Sequence, residues 1–192
     1  MPTGRNILLF IFVAILCSCS SRSQEPVSIE IPSARENYGA LLDIAKVWRN
    51  DAYLSWYSLS HREYGWKLSA TFQSPSEDFE SLLVNVDPKS NIAQKTIVQH
   101  DIPIKHQLKI LQADWRIDSV EAMEIFLSFD DVARIWSSLS PYSNCSDLKL
   151  RYFYVDDQWI LAWVLTIYEC KSMESNYFYI NPDSGERLEL EY

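Results

Sequence analysis

The feature that most constrains the fold is a pattern of helix followed by strands that occurs twice along the chain. The stretches 33–99 and 117–192 each begin with apolar residues at helical spacing and continue with several short strand patterns. In 66–72 apolar and polar residues alternate strictly, which is typical of an antiparallel strand with one buried face. The sequence therefore predicts an α+β fold built on antiparallel sheet.

The starts of the predicted helices carry capping signals. Ser33 and Glu36 form a capping box, in which the hydroxyl and the carboxylate satisfy free N–H groups of the first turn. Asp118 is placed to cap the helix that opens the second stretch. Ser128 or Asp130 is a candidate break that would divide this second helical region into two helices.

The closing turns of the two stretches also match. One turn is expected at 87–91 and the other at 181–185, since each combines proline with residues that tolerate turn conformations. Trp66 and Trp159 precede these turns by nearly the same number of residues. Gly185 ends the second turn at a position where a positive φ is expected. Matching turns, tryptophans and element order indicate a duplicated unit.

The second stretch resembles the PepSY-type domain of bacterial envelope proteins. Residues 179–188, with the sequence YINPDSGERL, are similar to the last hairpin of that family, and 115–124 is similar to its helix start. The resemblance implies two PepSY-like units, each with its helices packed on an antiparallel sheet, at 33–99 and 117–192. Residues 100–116 would be the connector. One continuous sheet with a shared core is the alternative, because a unit this small buries little surface alone.

The N-terminus predicts export to the cell envelope. Arg5 precedes an apolar run from Ile7 to Leu16, which suits a signal peptide and is too short for a membrane span. The residues before and at Cys19, Leu16-Cys17-Ser18-Cys19, resemble a bacterial lipobox, which has an aliphatic residue three places before the lipidated cysteine and a small residue directly before it; Cys17 is the departure from this pattern. On this resemblance residues 1–18 would be removed and Cys19 would carry the lipid, with palmitate-type acyl chains. Residues 19–32 would form a tether between the membrane and the folded part. An ordinary signal peptide cleaved nearby is the alternative.

Composition excludes several classes of ligand. The net charge of −9 opposes binding to the phosphate backbone of nucleic acids. None of the four glycines stands in a phosphate-binding cluster, which argues against nucleotide and dinucleotide sites. The sequence predicts no cofactor.

Cys145 and Cys170 are expected to form a disulfide, since an exported chain meets oxidising conditions. A hairpin with its turn at Asp157 and Gln158 would place the two cysteines opposite each other. A turn at Asp156 and Asp157 would shift that register. Two free thiols are the alternative.

No motif points to a reaction or a metal. The histidines His61, His100 and His106 lack the close spacing of metal ligands and are expected in loops. Acidic residues at 77–78, 130–131, 156–157, 186, 189 and 191 are placed to cap helices or to meet solvent. A hydrolase that uses paired carboxylates is the alternative.

The strand at 159–168 is almost entirely apolar, which indicates a central strand covered on both faces or an aromatic groove for a peptide or lipid. The sequence as a whole predicts a lipid-anchored, non-enzymatic envelope module that binds or modulates a protein or peptide partner. A small envelope hydrolase and a purely structural lipoprotein are the alternatives.

Overall fold

The computed structural model describes residues 31–62, 65–87, 90, 92–104, 107–138, 144–169 and 175–190. The predicted signal peptide, Cys19 and most of the tether lie outside these residues, so processing and lipidation stay predictions. Within the described ranges, no helix is both long and apolar enough to cross a membrane.

Three helices occur in the described residues: α1 (Ala34–Trp48), α2 (Ser119–Ser128) and α3 (Asp130–Ser138). The gap between α2 and α3 confirms the expected break. Ser33 caps α1, because its Oγ accepts a hydrogen bond from the Glu36 N–H at 3.1 Å.

The expected role of Asp118 at α2 is wrong in one respect. Its carboxylate makes no capping bond to α2 and accepts instead from the N–H of Arg35 in α1. The neighbouring Ser119 Oγ accepts from the Ala34 N–H at 2.8 Å and donates to the carbonyl of Pro32 at 2.7 Å. The chain around Asp118 therefore caps the helix of the first stretch, because the two helix starts meet in the folded molecule.

The strands form a single antiparallel sheet in the order β4-β3-β2-β1-β5-β6-β7-β8. They are β1 (Tyr53–Arg62), β2 (Gly65–Ser74), β3 (Glu77–Val86), β4 (Ala93–Gln99), β5 (Asn144–Val155), β6 (Gln158–Glu169), β7 (Ser175–Ile180) and β8 (Arg187–Leu188). The α+β class and the antiparallel sheet are confirmed.

The expectation of two separate sheets is wrong, and the alternative of one continuous sheet holds. β1 pairs with β5 from Tyr57 opposite Leu150 to His61 opposite Ser146. This pairing satisfies the backbone groups along one side of each strand, which separate sheets would leave as exposed edges. On each side of the β1–β5 pair the strands follow one another in chain order, β1 to β4 on one side and β5 to β8 on the other.

The register around this pair is nearly two-fold symmetric. Tyr57 and Leu150 face each other and are separated along the chain by as many residues as Trp66 and Trp159. Both tryptophans are the second residue of the second strand on their side. Their environments differ, since Trp66 is buried beside His61, whereas Trp159 is partly exposed beside Tyr154.

The turns before β4 and β8 share two hydrogen bonds. The N–H of Asp87 donates to the carbonyl of Ile92, as that of Asn181 does to Glu186. The side chains of Asp87 and Asn181 each accept from the N–H three residues further on. Residues 88, 89 and 91 lie outside the described part of the chain, so the full comparison of the turns stays open.

The core lies between the helices and one face of the sheet. Alternate residues of the central strands meet apolar residues of the helices in one continuous cluster, including Tyr57, Leu59, Leu148, Leu150 and Trp163 from the strands and Leu41, Ala45, Met123 and Phe126 from the helices. A second, smaller cluster of Phe153, Ala162, Val164 and Tyr179 contains no helical residue. Successive side chains of a strand point to opposite faces, so this second cluster lies on the face away from the helices.

The predicted connector forms part of the molecule's packing. Ile110 is buried and pairs with Leu54 through a β-bridge, and a short 3-10 helix follows at Gln112–Asp114. Pro103 is exposed as expected, while His106 lies outside the described residues.

Candidate binding site on the open face of the sheet

The face of the sheet turned away from the helices is called the open face here. It carries Lys149, Arg151 and Phe153 of β5, and Ala162, Val164 and Thr166 of β6. Lys149 pairs with Val164 and Arg151 pairs with Ala162 across the two strands. The other residues of β5 in this stretch, Leu148 and Leu150, point into the helix-covered core. Strict alternation along β5 therefore brings two cations and an aromatic ring to one surface.

A pocket of about 370 Å³ lies on the open face where β5, β6 and β7 run side by side. Its volume falls within the range of ordinary small-ligand sites. It is lined by two cations, three aromatic side chains, one valine and one threonine: Lys149, Arg151, Phe153, Val164, Thr166, Tyr177 and Tyr179.

Arg151 is the most unusual residue of the pocket. Its guanidinium carbon lies 4.6 Å from the centre of the Phe153 ring and 5.7 Å from that of Trp56 in β1. The Nε atom is buried and has no hydrogen-bond acceptor, and no carboxylate in the described ranges forms an ion pair with this side chain. A partly desolvated cation held by aromatic rings and lacking a counter-ion is poised to receive an anion.

Lys149 and its neighbours extend the cationic region along β5. The Lys149 ammonium lies 3.2 Å from Asp147 Oδ2 and 5.8 Å from the centre of the Trp56 ring. Asp147 also accepts from Arg62 at 3.1 Å. Two cations therefore share this carboxylate, and no carboxylate of the described residues forms an ion pair with Arg151.

Apolar and aromatic groups complete the pocket. Phe153 and Tyr179 pack edge to face, with ring centres 5.5 Å apart, and Val164 is buried beside them. Tyr177 is 57% exposed and stands at the rim. The pocket therefore combines two cations of β5 with an apolar surface and an exposed tyrosine at its rim.

The cysteine pair predicted as a disulfide is only partly described. The turn between β5 and β6 falls at Asp156 and Asp157, both with positive φ, and this sets Cys145 opposite Tyr168. The register that placed Cys145 opposite Cys170 is therefore wrong. Cys170 itself lies outside the described residues, so the disulfide stays a prediction.

The histidines fall in separate places. His61 packs at 4.9 Å against the Trp66 ring on the helix-covered face, which corrects its expected loop position. His100 Nε2 lies 3.0 Å from Ser81 Oγ at the end of β4. No group of three metal-binding side chains occurs among the described residues.

The acidic pairs lie in different elements. Glu77 starts β3 and pairs with Arg49 at 2.9 Å, and Asp131 lies in the first turn of α3 and pairs with Arg187. Asp156 and Asp157 form the β5–β6 turn. None of these residues lines the pocket.

Comparisons with known proteins give one solved structure with a similar fold. It is a crystal structure of a “putative lipoprotein” from Clostridium difficile 630, with a TM-score of 0.53 and 15% sequence identity, and the match covers 80% of this chain and 91% of that one. No protein-family model matches the chain, and no curated protein does. At 15% sequence identity the similarity shows the fold alone.

Sequence reasoning missed the pocket residues apart from those of the apolar strand at 159–168. The signal was present in 149–153, where Lys149, Arg151 and Phe153 occupy alternate positions of a strand whose other positions are apolar. Such a pattern shows that both faces of β5 carry large side chains. It does not show that Trp56 and Tyr179 would join them, since these come from other strands.

Proposed function

We propose that this chain is a lipid-anchored protein of the bacterial cell envelope whose folded part is a non-enzymatic binding module for a protein or peptide partner. In this proposal residues 1–18 direct export, Cys19 carries the lipid and the two strand sets are PepSY-like units. The pocket on the open face is the partner's contact site.

The proposed localisation to the cell envelope is supported by the N-terminal sequence and by the fold. The lipobox-like residues before Cys19 suit removal of a signal peptide and acylation. The chain shares its fold with a protein described as a “putative lipoprotein”. Two or more acyl chains would hold the protein firmly at a membrane, whereas a single chain binds only marginally.

The observation that carries the binding role is the pocket of Arg151, Phe153 and Tyr177 on the sheet face turned away from the described helices. Proteins usually cover or fill such apolar surface, and an accessible remnant lined by aromatics and cations is typical of a recognition site. The acidic side chains at Glu77, Asp131 and Asp156 stand outside it, which favours binding over acid–base hydrolysis.

Site-specific photocrosslinking in native envelopes tests the binding role. A benzophenone amino acid at Tyr177, on the pocket rim, is expected to give a discrete crosslinked protein or peptide. The same group at Val47, which is 81% exposed on α1, is the control and is expected to give none. Equal patterns from both positions, or no adduct from the pocket, would count against the proposal.

The lipid anchor has its own test. Mass spectrometry of the mature N-terminal peptide is expected to show a chain that begins at Cys19 and carries acyl mass. The Cys19→Ala variant should lose that mass, whereas Cys17→Ala should keep it. A mature chain that begins elsewhere would contradict the anchor and leave the pocket's role untouched.

A further inference from the structure

We propose that the open-face pocket recognises a carboxylate on an acidic peptide segment, with Arg151 as its receptor and the aromatic wall receiving an adjacent apolar side chain. The inference rests on the proposed binding function and names the chemistry of the partner. It identifies Arg151 as the residue that determines specificity.

The first argument is the state of the Arg151 charge. Its guanidinium stacks on Phe153 and Trp56, its Nε is buried without an acceptor, and it has no carboxylate partner in the described residues. Burying a cation without a counter-ion costs free energy. A bound carboxylate removes that cost and matches the planar fork of the guanidinium with two parallel hydrogen bonds.

The second argument is the local balance of charge. Arg62, Lys149 and Arg151 lie along the open face near one carboxylate, that of Asp147. The surface is therefore positive within a chain whose net charge is −9. A local charge opposite to that of the whole protein favours an anionic partner over a cationic one at this place.

The third argument concerns the part of the peptide next to the carboxylate, that is, its backbone and an apolar side chain. Val164 and the paired rings of Phe153 and Tyr179 form an apolar wall beside Arg151. About 370 Å³ accommodates one or two side chains and the backbone between them. The exposed Tyr177 at the rim keeps the pocket accessible from solvent, which suits a peptide better than an acyl chain that needs enclosure.

Selection from a displayed random peptide library, against the mature full-length protein in detergent, tests the proposal. Enriched sequences are expected to carry Asp or Glu next to an aromatic or aliphatic residue. The best of them, synthesised with Glu and with Gln at that position, should differ in Kd by about tenfold or more in favour of Glu. The difference should shrink as ionic strength rises.

Matched variants test whether the preference for the Glu peptide depends on the pocket. Arg151→Met keeps the apolar stem and removes the charge, and it should abolish the preference for Glu over Gln. Lys67→Met removes a cation from the open face at β2, away from the pocket, and should leave the preference intact. Circular dichroism and thermal unfolding show whether each variant keeps the fold, and Arg151→Lys provides a charged variant if Arg151→Met fails to fold.

The outcomes separate this inference from the proposed function. Enrichment of neutral or basic peptides that still depend on Tyr177 would overturn the carboxylate receptor and leave the binding module in place. Failure to enrich any peptide, together with binding of vesicles that contain anionic lipid, would overturn the choice of a peptide. Loss of crosslinking at Tyr177 would instead count against the binding module itself.

Discussion

Gly185 shows at the residue scale how a turn and the core depend on one position. Its φ of 74° lies in the left-handed region that favours glycine. An added Cβ would stand 2.9 Å from the Cδ1 atom of Ile125 and 3.2 Å from that of Ile117. Both the backbone and the space exclude a larger side chain. The positive φ predicted for this position is confirmed.

The Gly185→Val variant is therefore expected to lower the free energy of unfolding by about 2 kcal/mol or more, because a β-branched residue fits this backbone poorly and overpacks the isoleucines. Denaturant unfolding measures the change. Gly39→Ala is the matched control, since no atom lies within 4 Å of its added Cβ and alanine favours the helix. A loss below about 0.5 kcal/mol at Gly185 would contradict the packing argument.

The cysteine pair yields a second prediction at this scale. Oxidation of Cys145 and Cys170 would close a loop of about 26 residues and stabilise the chain by roughly 3 kcal/mol according to loop-entropy estimates. Peptide mapping without reduction should find the joined peptides. Alkylation of both thiols in the untreated protein would exclude the bond. Cys145 stands opposite Tyr168, so the bond would have to join two cysteines that are not directly opposite in the β5–β6 register.

At the scale of elements, an ion pair ties α3 to the last strand. Both Nη atoms of Arg187 donate to the Asp131 carboxylate, at 3.0 and 2.9 Å. The hydrogen bonds from Arg187 hold the pKa of the Asp131 carboxyl below its ordinary value. Arg187 also lies 5.5 Å from the Phe129 ring, so the pair sits beside the junction of α2 and α3.

This pair makes part of the stability dependent on pH. Because the pKa of Asp131 is lower in the folded protein, its contribution is complete above the ordinary carboxyl pKa and is lost as the pH falls through the lowered value. Unfolding measured across acidic pH should show Asp131→Asn less stable than the parent at neutral pH, with the gap closing towards low pH. Asp183→Asn is the control, since its contact to Arg116 is long and exposed. A gap independent of pH would contradict the ion-pair explanation.

Features that depend on residues close together in the sequence could be predicted, and features that depend on residues far apart in the sequence could not. Alternation in 66–72 and the Ser33 cap depend on neighbouring residues, and both appear as expected. Asp118 looks like the cap of α2 in sequence, yet it serves α1, because the start of α1 is brought to it only by folding. The turn at Asp156 and Asp157 stayed open because aspartate tolerates the left-handed region without requiring it.

One part of the candidate site, the contact of Arg151 with Trp56, could not be predicted from the sequence because it depends on how the whole sheet is assembled. Trp56 of β1 meets Arg151 of β5 because the two strands become neighbours at the middle of the sheet. Whether the two strand sets join depends on which strand edges pair with each other. The sequence pattern is compatible both with two separate sheets and with one continuous sheet. The contact between Trp56 and Arg151 exists only in the second arrangement, whereas the residues that line the pocket all come from β5, β6 and β7.

A single sheet through the β1–β5 pair leads to a prediction about the unfolding of the whole molecule. Leu59 and Leu148 face each other in this pair, and both are completely buried in the continuous core. Leu148→Ala should lower the free energy of unfolding by about 2–5 kcal/mol, since it leaves a cavity at the centre of the sheet. The loss should reach both sides of the junction, because the main core is continuous across it. Far-ultraviolet circular dichroism and tryptophan fluorescence should report one coincident transition in the parent and in the variant.

Hydrogen exchange of β2 and of β6 should accelerate together in Leu148→Ala, whereas Val47→Ala, on an exposed part of α1, should change neither. Two separate transitions, or faster exchange confined to β6, would mean that the two strand sets unfold independently in spite of their shared sheet.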